Sequence, residues 1–182
     1  MMFSDELKTK IVKAKQSIQS TVGVFQIKYS VLPWNDMYLT GGAIASILQG
    51  EKPYDWDFYC KDSDTSERVS DILKNRYIDS VVGVPEKYQS FIGEKGKMIT
   101  AQAITMEDAA QFITCMSGKP EELKKSFDYV HCTPHYDILE GKLYISEKQL
   151  DAIVNKKLVT NNYGALKLWR QDKFEKRGYK TI

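Results

Sequence analysis

Asp55 and Asp57 stand two residues apart within GGAIASILQGEKPYDWDFY, the run from Gly41 to Tyr59. On a strand that spacing sends both side chains to one face. Paired carboxylates repel, and they ionise together most easily around a positive charge. A divalent cation supplies that charge, and Mg²⁺, or Mn²⁺ in its place, takes hard oxygen ligands of this kind. Just upstream, Gly41 and Gly42 let backbone N–H groups approach a phosphate where a helix starts. Thr40 and Ser46 offer hydroxyls to phosphate oxygens. Carboxylates for a metal beside a phosphate cradle point to phosphoryl or nucleotidyl transfer. The plainer alternatives are a turn-closing Asp55 after Pro53, an Asp57 on an edge strand, and a Ser46 facing solvent.

The same segment resembles the nucleotidyltransferase superfamily built on the polymerase-beta-like core. Its spacing is similar to that of the head domain of CCA-adding enzymes and poly(A) polymerases. Gly41, Gly42, Gly50, Pro53, Asp55 and Asp57 match that pattern without a gap. The resemblance implies Mg²⁺ or Mn²⁺ at Asp55 and Asp57, a nucleoside triphosphate substrate, and a hydroxyl acceptor such as an RNA end, a small molecule or a protein. It also asks for a third acidic residue on a later strand, beside the first two. Asp128, in SFDYVHC, is the choice for catalysis and metal binding, with Asp137 as runner-up. One departure is plain. Where the family places an Arg-Asp pair in the helix after the diglycine, this chain has Ala45 and Ser46. Weak triphosphate affinity follows unless Lys52, Lys61 or the basic C-terminal face supplies the charge. In its C-terminal half the chain looks like uncharacterised nucleotidyltransferase-like proteins of tailed bacteriophages, on FDYVHC, GKLYIS and RQDKFEKRGY. A catalytically inactive nucleotide-binding or structural protein of the same fold is the alternative function. A glycosyltransferase also uses Asp-x-Asp, but the diglycine upstream disfavours it.

Two further clusters carry possible chemistry. His131, Cys132 and His135 lie close together, yet zinc wants two spaced ligand pairs, and the chain has only two histidines. A structural role for His131 is favoured. Lys167, Arg170, Lys173, Lys176, Arg177 and Lys180 recur near helical spacing with Trp169, Phe174 and Tyr179 between them. They read either as a contact for nucleic acid or triphosphate, or more simply as a solvated cationic face with Trp169 and Phe174 in the core.

These residues need elements to hold them. The pattern predicts helices from Asp5 to about Val24, over Ala43–Leu48, Ser66–Lys74, Met106–Met116, Glu121–Lys125, Ser146–Val154 and Gly164–Lys176. Strands are expected at Met37–Thr40, Trp56–Cys60, Tyr77–Val84, Lys97–Ile104, Ser126–Cys132 and Leu143–Ile145, with a hairpin over YQSFIGEKGK. Alternating helices and strands predict an α/β or α+β fold, a mixed sheet flanked by helices. A single domain is expected, with its core over residues 25–145 and a C-terminal helical segment over 146–182.

Composition sets the outer bounds. The 182 residues are 42% hydrophobic and 27% charged, the balance of an ordinary globular protein. A net charge of +2 gives no global basic field. The three cysteines show no CxxC spacing, which suits a reducing, cytoplasmic setting. MMFSDELKTK has no apolar core and is not a secretory leader, and no run suits a membrane span. Templated CCA addition is not expected, because the chain is too short for the further helical domains of those enzymes.

Overall fold

A computed structural model describes residues 4–81 and 103–182. The expected YQSFIGEKGK hairpin, residues 82–84, and residues 97–102 of the strand expected over 97–104 lie outside the described residues. The described part of the strand expected over Tyr77–Val84 is not one: it is a 3-10 turn at Ile78–Ser80, followed by a single bridge from Val81 to Met106.

Helix α1 (Asp5–Lys28) opens on a Ser4 cap, whose hydroxyl accepts from the Leu7 N–H at 3.3 Å. It buries Ala14, Ile18, Val22 and Phe25. It runs one turn past Val24 because Phe25 is a core residue, edge-on to Trp56 and Phe58 at 5.9 and 5.5 Å. The next elements fall where the sequence puts them: β1 (Met37–Thr40), α2 (Gly42–Leu48) and β2 (Trp56–Cys60). Helix α3 (Ser63–Arg76) follows, capped by Asp62, which accepts from the Thr65 N–H at 2.7 Å.

The segment expected as a helix over Met106–Met116 is instead the hairpin of β3 (Ala103–Thr105) and β4 (Ala110–Ser117). Ala109 turns the chain at φ 66°, and the Met106 N–H donates to the Ala110 carbonyl at 2.8 Å. Asp108 pins the turn, accepting from Lys28 at 2.7 Å and the Tyr29 hydroxyl at 2.9 Å. Strand period then puts Ala110 and Phe112 into the core, where Phe112 stacks on Phe58 at 5.5 Å. Local helix propensity yields to that burial.

Further along come α4 (Pro120–Leu123), β5 (His135–Asp137), β6 (Lys142–Tyr144), α5 (Glu147–Val154), β7 (Lys157–Leu158), α6 (Leu168–Glu175) and β8 (Lys180–Thr181). Ser146 and Gln149 form the reciprocal capping box that opens α5. The segment expected as a strand over Ser126–Cys132 is not one. It crosses the C-terminal part as a single bridge, Tyr129 to Thr160, and then tightens into a 3-10 turn at Val130–Cys132. The strand in this region is β5, three residues on.

The large sheet has the order β3-β4-β2-β1-β5-β6, with β2 and β4 parallel and the other neighbours antiparallel. It is the expected mixed α/β arrangement. Met37, Leu39, Trp56, Phe58 and Phe112 face the main core with α1 and α2. Tyr38 and Tyr59 face the other side, over Leu123. On that second side Asp57 shares register with Thr40 and with Gln111. Strands β7 and β8 make a small parallel ladder that ties the chain's end to the segment after α5.

Candidate nucleotide-binding cleft

Asp57 sits on β2 and Asp55 just before it, both lining a cleft of about 410 Å³. That volume suits a small ligand. Gly41, Gly42, Ser46 and Asp128 line the same cleft. Thr40 does not: its buried hydroxyl donates to the carbonyl oxygens of Pro134 at 2.7 Å and Cys132 at 3.3 Å. It fastens β1 to the turn before β5 and has no donor left for a phosphate.

Gly41 is required for a different reason than close approach of a phosphate. Its φ of 89° and ψ of −156° lie where essentially only glycine is stable. A Cβ there would meet Asp57 Oδ2 at 2.6 Å. Gly41 makes room for the Asp57 carboxylate. Its N–H donates to the Cys132 carbonyl at 3.2 Å, so it holds no phosphate. A Cβ on Gly42 would meet nothing within 4 Å.

Burial pushes the Asp57 carboxyl up to about 7, and the charge of Asp55 adds to the effect. Lys173 and then Arg170 oppose it from α6. A cation between Asp55 and Asp57 would relieve the strain between them. Mg²⁺ commonly takes one or two carboxylates, with waters and substrate phosphates completing its shell. The pair fits that role.

Asp128 is in the cleft but not free. Its carboxylate accepts from Arg170 Nε, from Arg170 Nη2 at 3.1 Å and from the Tyr129 N–H at 3.0 Å. It is 4% exposed. The strand neighbour of Asp57, where a third acid would stand, is Gln111, whose amide donates to Thr105 Oγ1 at 2.9 Å. Among the described residues no three His, Cys, Asp or Glu side chains gather into a metal-binding set. Asp137 lies away from the cleft at the β5 edge, paired with Lys61 at 3.1 Å.

His131 is buried among Tyr129, Phe174 and Tyr179, with ring centroids 4.4 Å from the last two. Burial, then Arg170 and Arg177, drives its pKa down to about 3, so it packs as a neutral ring.

The largest departure from a local reading is the segment from Lys167 to Arg177 that contains α6. Lys167, Arg170, Lys173 and Arg177 all line the cleft, opposite Asp55 and Asp57. Phe174 is buried as expected, but Trp169 is 58% exposed at the cleft mouth. Tyr54 also lines the cleft, with Arg177 over its ring at 5.0 Å. The spacing of the cations was legible, but not what they face. Tyr54 and Gln111 gave no signal.

A protein-family model described as Gabija anti-defense 2 family protein matches residues 10–156. The chain belongs to that family. The match spans the glycine turn, β2 and Asp128, and stops before α6. No curated protein matches the chain. Among solved structures, the Thermotoga maritima CCA-adding enzyme complexed with tRNA is similar at TM-score 0.55 and 12% identity, over 88% of this chain and 39% of that one. The Bacillus stearothermophilus CCA-adding enzyme in complex with CTP is similar at TM-score 0.52 and 18% identity, over 87% of this chain and 40% of that one. The chain therefore spans about two fifths of the length of these neighbours. At such identity the likeness is one of fold, and that fold is nucleotidyltransferase-like. Among the described residues no helix is long and apolar enough to cross a membrane.

Proposed function

We propose that this protein is a metal-dependent nucleotidyltransferase, moving a nucleoside monophosphate from a nucleoside triphosphate to a hydroxyl acceptor. The acceptor is an RNA end, a small molecule or a protein side chain. The observation that carries the reading is the convergence of Asp55 and Asp57 with the cations of α6 on one cleft. Asp55 and Asp57 would hold Mg²⁺ or Mn²⁺. Such an ion lowers the pKa of an acceptor hydroxyl and offsets charge on the triphosphate and the leaving pyrophosphate. The chain's own part is binding and orientation. Gly41 leaves Asp57 its place, and Lys173 and Arg177 face the acidic pair. The neighbours' complexes, one with tRNA and one with CTP, support a nucleotide substrate and an RNA acceptor. The family description supports a role in countering the Gabija defence.

A second reading has specific support. Gln111 stands where a third acid would be, and Arg170 closes Asp128. A protein that binds the nucleotide without transferring it would tolerate both. The test incubates the protein with each labelled nucleoside triphosphate, Mg²⁺ or Mn²⁺, and pools of RNA, host protein and metabolites. Label should move to one pool and stop doing so in Asp55→Ala and Asp57→Ala. Transfer that survives both substitutions defeats the proposal. Nucleotide binding with no transfer to any pool selects the second reading.

A further inference from the structure

The glycine turn brings no charge to a triphosphate, and two of its donors are committed. The Gly41 N–H and the Thr40 hydroxyl are both spent on backbone carbonyls. Ala45 and Ser46 carry no charge. Any polyanion in this cleft must find its counter-charge elsewhere, and a dense run of cations begins at Lys167. Residues 167–180 hold six Lys and Arg against two acids, while the whole chain nets only +2. Of the four cations that line the cleft, Arg170 is committed to Asp128. Lys173 makes no ion pair among the described residues and is the cation acting most strongly on Asp57.

Arg177 is built in rather than loosely exposed. Its guanidinium donates from Nη2 to Ser46 Oγ at 3.0 Å and lies over the Tyr54 ring. Glu51 is 3.9 Å away and is taken by Lys156 at 2.8 Å. The backbone around it is fixed as well. The Arg177 carbonyl accepts from Lys156 Nζ at 2.9 Å, and its N–H donates to the Phe174 carbonyl at 3.0 Å. Gly178 then turns at φ 86° and β8 closes on β7. A guanidinium so placed loses little freedom on binding, and its planar fork suits phosphate oxygens.

We infer that Arg177 and Lys173 form the polyphosphate subsite of this cleft, with Ser46 positioning Arg177. The inference rests on the nucleotide reading above, and it names the residues that supply the charge the glycine turn lacks. A polyphosphate brought to Arg177 also lies against Ser46 on α2 and near Asp57, so the two walls act on one ligand.

The experiment measures binding of inorganic tripolyphosphate and of each nucleoside triphosphate, with Mg²⁺, by calorimetry on the full chain. Arg177→Gln and Lys173→Gln should each weaken both ligands by about tenfold or more, the usual cost of a charge-assisted contact. Lys180→Gln, outside the cleft, should change neither. Arg177→Lys keeps the charge but loses the fork, and should fall between wild type and Arg177→Gln. It also serves as the readout if Arg177→Gln does not fold, which a melting curve will show. Wild-type nucleotide affinity retained in both Gln variants overturns the inference and leaves the proposed function standing. A wild-type protein that binds no nucleoside triphosphate removes both.

Discussion

On one wall of the cleft Asp55 and Asp57 are left facing each other's charge. On the other wall Asp128 is closed by a guanidinium from 42 residues further on. All three are acids in apolar runs, and by sequence they look alike. The difference lies in what the fold brings against them. Asp57 has a glycine at its back and no ion pair among the described residues, with Lys173 and Arg170 acting on it from α6. Asp128 has both oxygens bonded, so its charge holds α6 in place. One carboxylate is left without an ion pair and the other is paired with Arg170.

The largest effect should come from removing the partner of Asp128. Arg170→Met leaves a buried carboxylate unpaired and should cost about 3 kcal/mol, read from chemical denaturation. Arg170 is partly exposed, which keeps the figure at the lower end. Adding Asp128→Leu should recover most of the loss. A double variant no better than the single one would mean that Asp128 is not held chiefly by Arg170, and would erase the contrast between the walls.

Gly41→Ala comes next, at about 2 kcal/mol, from backbone strain and from crowding of Asp57. Thermal unfolding measures it. The strain part should remain in Gly41→Ala with Asp57→Gly, and the crowding part should vanish.

A smaller effect follows from pH. In metal-free protein, the folded state holds a proton on Asp57 up to about 7, whereas the ordinary value is 3.8. Between those values the folded state binds more protons than the unfolded one. Stability should therefore fall as pH rises through that window. Asp57→Asn should remove this fall in melting experiments run with a chelator. An unchanged profile in the variant would show that Asp57 is not the charge the cleft leaves unpaired.

Gly42→Ala should have the least effect on stability, a gain of roughly 0.5 kcal/mol, since a Cβ there meets open space in a helix start. A marked loss of stability instead would mean that the two glycines share one structural duty.

Where the chain's contacts are local, its sequence is a good guide. Both β1 and β2 were legible as short apolar runs, as was the helix opened by the Ser146 box, because strand alternation and capping are set within a few residues. The Asp55–Asp57 pair belongs to this class, since a two-residue spacing decides its shared face. Over Met106–Met116 the helical composition is outweighed by the seat of Phe112 against Phe58, a contact fixed by distant elements. The Ser126–Cys132 segment departs from a strand for the same reason, with backbone hydrogen bonds running to residues 159–162.

The sequence by itself determined the fold class, the acidic pair and the glycine turn before it, all of them products of short-range spacing. Only the tertiary structure decided that Asp128 is neutralised, that Thr40 is spent on backbone, and that Arg177 reaches Ser46 across 131 positions. A side chain's charge and hydrogen-bonding capacity are written in its residue type, but whether they remain available depends on which partner the folded chain places within about 3 Å.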